Sequence, residues 1–201
     1  MSKTNLAYTE KLFTAEEYLA FERASNTKHE FIDGRIVSLH EGFEVTAMAG
    51  ASRRHNLISG NIFGEIRHQL KGKDCEAYIN DMRVQVKPNR YAYPDVVVAC
   101  DEPKFLDDEF DTLLNPMVVV EVLSPSTRFR DKTEKLEDYQ KKDSVKECLL
   151  IEQNQIRIEH YIKQTPTQWL LRIYENVNET VNLESIGCEI KVAEVYLQIE
   201  F

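Results

Sequence analysis

Two valine-rich runs, Val96 to Ala99 and Met117 to Leu123, constrain this chain most, because each carries a carboxylate where a fully covered strand should carry none. Asp95 stands at the head of the first run, behind Pro94, and Glu121 stands inside the second. Neither run alternates polar with apolar residues, which predicts the centre of a sheet covered on both faces. An unpaired carboxylate is very costly in such a place, so a strand that keeps one pairs it, hydrogen-bonds it or gives it a metal. A salt bridge accounts for either acid alone. Two acids on neighbouring strands point to a shared cation.

The flanking chain predicts the supporting elements. Thr14-Ala-Glu-Glu17 spells a capping box and starts a short amphipathic helix to about Arg23. His29 to Ile32 and Arg35 to His40 alternate around Asp33-Gly34, the signature of a two-residue hairpin, and place Glu30 on the first strand. After a loose glycine-containing passage, Asn56 to Leu70 sets Leu57, Ile58, Ile62, Ile66 and Leu70 at helical spacing, with Arg53, Arg54 and His55 at the start. From Ala77 the pattern turns to strands, with Met82, Val84 and Val86 on one face and Arg83, Gln85 and Lys87 on the other, as for a strand open to solvent on one side. Beyond the two valine runs, Asp131 to Lys142 reads as a charged helix with Leu136 and Tyr139 as its apolar stripe. Val145 to Ile151 reads as a further buried strand. Gln155 to Ile162 and Trp169 to Tyr174 alternate and predict a hairpin, followed by a weaker β-rich tail.

Residues Tyr93-Pro-Asp95, a glutamate in a valine strand that ends Ser124-Pro125, and a helix spelled Asp131, Lys132, Lys135, Leu136, Tyr139 resemble the Uma2 family, also called DUF820. Glu30 to Gly34, His55 and Asp81 to Val84 also match that family's pattern, so the resemblance spans most of the chain. It implies the restriction-endonuclease-like fold of the PD-(D/E)XK superfamily. That is an α/β (α+β) mixed sheet with a core of helix, three strands, helix and strand. Here an N-terminal helix and hairpin precede the core and a β extension follows it. A chain of 201 residues fits one such domain, residues 1–201, with residues 1–12 expected as a flexible arm.

The resemblance also implies the chemistry. Hydrolysis of a phosphodiester needs charge neutralisation at phosphorus, an activated water and help for the leaving oxygen, all of which a divalent cation can serve. Magnesium or manganese would be held by Asp95, Glu121 and the carbonyl of Val122, since magnesium takes only one or two carboxylates besides water and phosphate. The superfamily signature places a lysine two residues after the strand glutamate, where this chain has Leu123. Lys135 is the expected substitute, because burial of Leu136 and Tyr139 would turn its face toward the sheet, with Lys132 as the alternative. Glu30 and His55 match recurrent family positions and are expected to assist. Arg53, Arg54, Arg128, Arg130 and Lys132 are the expected nucleic-acid contacts, with Arg83 and Lys87 as further candidates. The expectation is a metal-dependent endonuclease acting on DNA as a homodimer. A weakened nuclease fold serving as a binding module, or a hydrolase of smaller substrates, are the alternatives.

A formal net charge of -9 excludes a protein that coats nucleic acid indiscriminately, so any such contact must be local. Part of the excess lies in Asp101 to Asp111, six acids against one lysine, whereas Arg128, Arg130, Lys132 and Lys135 gather just after Glu121. The four cysteines, Cys75, Cys100, Cys148 and Cys188, show no paired spacing and are expected as free, buried thiols in a reducing cytoplasm. Residues 1–10 lack the apolar core of a signal peptide, and no apolar segment approaches the ~20 residues of a membrane span, so no membrane association is expected.

Overall fold

Thr14 starts the first helix as its spelling predicts. Its hydroxyl accepts from the Glu17 N–H at 3.1 Å, and the Glu17 carboxylate accepts from the Thr14 N–H at 2.9 Å, which satisfies two orphan donors at the head of α1 (Ala15–Ala24). The computed structural model describes residues 12–39, 51–125 and 128–201. The expected arm, apart from Leu12, lies outside the described residues, as do His40 and nearly all of the loose passage before the long helix.

Strands β1 (His29–Ile32) and β2 (Arg35–Ser38) pair antiparallel across Asp33 and Gly34, whose φ values of 45° and 87° are the left-handed pair that a tight hairpin requires. Helix α2 (Arg53–Gln69) begins three residues before the predicted Asn56, because Ser52 caps it by accepting from the His55 N–H at 3.1 Å. The chain then runs through β3 (Cys75–Ile79), β4 (Arg83–Lys87), β5 (Arg90–Ala92), β6 (Val96–Cys100), β7 (Thr112–Leu113) and β8 (Val118–Leu123). After β8 come a short turn of helix α3 (Arg128–Arg130), a π-helical turn over Asp131–Lys135, and α4 (Leu136–Lys141). The predicted single α-helix from Asp131 is therefore wound more loosely over its first part. Strands β9 (Glu147–Glu152), β10 (Ile158–Thr165), β11 (Gln168–Tyr174), β12 (Thr180–Leu183) and β13 (Cys188–Lys191) and the short helix α5 (Val192–Val195) complete the chain.

The strands divide between two larger sheets and one hairpin. A six-stranded sheet runs β11-β10-β9-β8-β6-β3, a five-stranded sheet runs β2-β1-β5-β4-β7, and β12 pairs with β13. In the six-stranded sheet β8 and β9 are parallel, a pairing that needs a crossover, and α3, the π turn and α4 supply it. The predicted order of helix, three strands, helix and strand is met by α2, β3, β6, β8, the crossover and β9. Strand β4 is not one of those three; it leaves for the five-stranded sheet.

Every residue of β6 and β8 is buried, as the apolar runs predict. Val96, Val98, Val118, Val120 and Val122 face Ile58, Ile62 and Ile66 of α2 and the tail hairpin, while Val97, Ala99, Val119 and Leu123 face Leu136 and Tyr139. Each such side chain contributes about 1.5–3 kcal/mol on leaving water. This two-sided burial lets the strand ends hold polar groups in fixed positions.

Two sequence expectations are corrected. Arg83, expected on a solvent face of β4, is only 3% exposed, because α1 and the acidic loop cover that face. Its guanidinium reaches Thr112 at 2.9 Å and Asp111 at 2.8 Å. The expectation of four free thiols also fails, since Cys75 and Cys100 form a disulfide, while Cys148 and Cys188 are free and buried. The physical reason is register. Antiparallel pairing of β3 with β6 sets these two residues directly opposite one another, which linear spacing does not disclose.

Candidate active site at the junction of two sheets

Asp95 lies just before β6, where that strand stops covering β8. Its Oδ2 accepts from the Val122 N–H at 2.7 Å, tying the acid to the backbone one residue past Glu121. The Nε2 of His55, on the first turn of α2, lies 3.3 Å from the same oxygen, and the Val122 backbone also bonds the ring. Burial alone would lower the His55 pKa, but Asp95 and Asp131 outweigh it and hold the imidazole above its ordinary value.

Glu121 is 3% exposed and shares its face of β8 with Val119 and Leu123, beneath the crossover. The Tyr139 hydroxyl donates to its Oε1 at 2.7 Å, and the Lys135 Nζ lies 3.1 Å from the same atom. Lys135 is shared further, with Glu30 Oε1 at 3.1 Å and Asp131 Oδ1 at 3.3 Å, while Arg130 holds the other oxygen of Glu30 at 2.8 Å. Glu30 comes from β1 of the five-stranded sheet and Glu121 from β8 of the six-stranded one, so the ammonium bridges two layers. The loosened turn over Asp131–Lys135 buries both of its end residues, and Leu136 and Tyr139 anchor the following helix.

These charges control one another. Burial pushes the Glu121 carboxyl up to about 8; Lys135 opposes the shift, and Asp131 and Asp95 add to it. Burial would lower the Lys135 pKa, but Glu121, Glu30 and Asp131 more than offset it and keep the ammonium charged. A general-base role for Lys135, which needs a lowered pKa, does not fit this setting.

Asp95, His55 and the Val122 backbone thus form one set of contacts, and Glu121, Lys135, Glu30 and Asp131 a second, the two being joined through the Glu121–Val122 peptide. The expected nucleic-acid contacts are differently placed. Arg128 pairs with Glu152 at 2.8 Å, Lys132 with Glu159 at 2.7 Å, and Arg54 reaches the Glu200 carbonyl at 2.6 Å. Arg53 is exposed at the first turn of α2. Lys87 lies 3.5 Å from Asp138, and Asp81 pairs with Lys28 at 2.9 Å on the surface. Sequence reasoning gave no role to Asp131 and treated Tyr139 only as packing. The spacing of four residues from Asp131 to Lys135, and again from Lys135 to Tyr139, was the available signal.

Four carboxylates, Asp95, Glu121, Glu30 and Asp131, face the full charges of Lys135 and Arg130 and the imidazole of His55. Glu30 Oε1 and Asp131 Oδ1 are buried and are met by the Lys135 ammonium, at 3.1 and 3.3 Å, as an ion pair outside hydrogen-bond geometry. An oxygen-rich set of four carboxylates fits a hard divalent cation in its donor chemistry. Among the described residues no three side chains of histidine, cysteine, aspartate or glutamate form a ready-made cage. Magnesium does not need one, since it retains waters and takes substrate phosphate.

The model of the Uma2 family, described as "Putative restriction endonuclease", matches residues 15–193. Two proteins of Synechocystis sp., both described as uncharacterized, are similar along nearly their whole length. The protein sll1609 is 36% identical over 177 residues, covering 88% of this chain and 94% of its own. The protein slr1290 is 34% identical over 187 residues, covering 92% of each. The crystal structure of a putative nuclease belonging to DUF820 from Anabaena variabilis superposes with a TM-score of 0.69 at 16% identity, covering 92% of this chain and 97% of that one, and so shares the fold. The chain belongs to the Uma2 family.

Proposed function

We propose that this protein is a magnesium- or manganese-dependent endonuclease that hydrolyses phosphodiester bonds of DNA, acting as a homodimer of single-domain chains so that two sites address two strands. The observation that carries this reading is the Lys135 ammonium 3.1 Å from the Glu121 carboxylate. It supplies from the crossover the positive charge that Leu123 cannot supply from the strand.

Asp95, Glu121 and the Val122 carbonyl would hold the cation. When bound, it neutralises phosphate charge and activates water at the reacting phosphorus. Lys135, fully charged, orients the Glu121 carboxylate and stabilises negative charge that develops beside it. Tyr139 fixes the same oxygen. Glu30, Asp131 and Arg130 hold Lys135 in place. His55, kept protonated to higher pH than a free imidazole, stands beside Asp95 as a proton donor for the leaving oxygen.

Cleavage assays on supercoiled, linear and single-stranded DNA with magnesium and with manganese test this directly. Wild-type protein is expected to cut, and Asp95→Ala and Glu121→Ala are expected to be inactive while remaining folded. Unchanged cleavage by either variant defeats the assignment. One observation favours a second reading, a binding module with little catalysis: a Glu121 carboxyl lifted to about 8 is largely protonated at neutral pH and binds a cation weakly. Metal-independent DNA binding without cutting would select that reading.

A further inference from the structure

Phe129 is 80% exposed, the most exposed of the large hydrophobic side chains among the described residues. Three other exposed phenylalanines rest on a neighbouring ring: Phe21 on His29 at 5.0 Å, Phe110 on Phe105 at 5.3 Å and Phe201 on Tyr196 at 5.5 Å between centroids. No ring contact engages Phe129 among the described residues. The turn that carries it is nonetheless fixed, because Thr133 Oγ1 donates to its carbonyl at 2.6 Å and both flanking arginines are tied down. Arg130, the next residue, holds the Glu30 carboxylate that shares Lys135 with Glu121. An exposed aromatic side chain on a turn held at both flanks therefore stands one residue from Arg130, which reaches into the candidate active site.

The cations around it are already committed. Arg128 is paired with Glu152, Arg130 with Glu30 and Lys132 with Glu159, and Lys135 is shared among three carboxylates. A polyanion gains little Coulomb attraction from side chains neutralised in this way, on a protein whose net charge is already -9. Attraction beyond that of a cation must come from contacts that do not depend on charge. Base stacking on an aromatic ring is one such contact, and it is available only where the base is free of its helix.

We propose that Phe129 is a stacking platform for an unpaired nucleobase, so that the site prefers single-stranded or locally opened nucleic acid over intact duplex. This rests on the nuclease reading above for the position of the scissile phosphate.

The test is anisotropy titration of a labelled single-stranded oligonucleotide and of its duplex, with calcium replacing magnesium, over a range of salt. Phe129→Ala is expected to weaken single-strand binding about tenfold or more, with the same salt slope as wild type and a smaller effect on duplex. Phe129→Trp is expected to retain binding. Unchanged affinity in Phe129→Ala, equal losses on single strand and duplex, or no single-strand binding by wild type would each overturn the proposal. So would a change of Phe129→Ala to a smaller species in sedimentation, which would assign the ring to a contact between copies. The two readings fail separately. Wild-type binding that depends on Phe129 without any cleavage rejects the nuclease and keeps the platform, whereas cleavage that is lost with Asp95 but indifferent to Phe129 does the reverse.

Discussion

Glu121 carries a pH dependence whose sign follows from its burial. Its carboxyl titrates near 4.5 when exposed and is pushed up to about 8 in the fold. Between those values the folded chain keeps a proton that the unfolded chain has released. The stabilisation is present below the lower value and is lost as pH rises through the upper one. In chelator, the urea midpoint should fall from about pH 5 to about pH 8. The raised pKa of His55 acts in the same direction. Glu121→Gln should flatten much of the slope; a midpoint that rises over this range would contradict the placement of the carboxyl. Lys135 gives a second prediction at this scale. Lys135→Met leaves three carboxylates without their shared cation, and removing one partner from a buried ion pair costs about 3–5 kcal/mol. Lys132→Ala, at a position 24% exposed, should cost about 1 kcal/mol or less and reduce turnover less. Equal losses in chemical denaturation would refute the distinction. Asp95, Glu121 and Lys135 were legible because a charged residue beside apolar neighbours is conspicuous in one dimension. The convergence of Glu30 and Asp131 on Lys135 was not, because it depends on how two sheets and a loosened turn meet.

At the scale of elements, the capping box, the Asp33-Gly34 hairpin and the valine strands were legible because each rule acts within a few residues. The π turn was not, since its burial pattern differs from an α-helix only by a small change of winding. Arg83 was assigned to the wrong side because α1 and the acidic loop, distant in sequence, supply Tyr18 beneath it and Asp111 beside it. The disulfide belongs to the same class, and its consequence can be measured. Strand β3 is the outer edge of the six-stranded sheet, held on one side by β6 and covalently by Cys75–Cys100, which closes a separation of 25 residues. Closing a loop of that length in the unfolded chain is worth about 3 kcal/mol by the chain-entropy estimate. Reductant should lower the denaturation midpoint of wild type accordingly and leave Cys75→Ser unaffected. Identical curves for wild type with and without reductant would show that this edge is held by packing alone.

At the scale of the whole molecule, the charges of the acidic loop and of the segment after β8 are largely paired among the described residues. Asp107 and Asp111 of the acidic loop are taken up by Arg23, and Asp111 also by Arg83, just as the basic residues after β8 are taken up by glutamates. What remains is a net charge of -9 that repels a polyanion, a repulsion that ordinary salt screens beyond about 8–10 Å. Such a protein can hold DNA only if something at the site reverses the local sign. On the proposed function that agent is a divalent cation on the hard oxygen donors of Asp95 and Glu121. DNA affinity should therefore rise at least about tenfold when chelator is replaced by calcium, which occupies oxygen sites without demanding the geometry of magnesium. Asp95→Asn should abolish that gain while leaving the weak cation-free binding as it was. The salt slope should stay shallow, since the arginines and lysines just after β8 are already paired with carboxylates and release few counterions. Gel-shift or anisotropy measurements decide the matter: tight binding in chelator with a steep salt slope would mean that a basic surface, rather than a cation held by the strand acids, brings the nucleic acid to the protein.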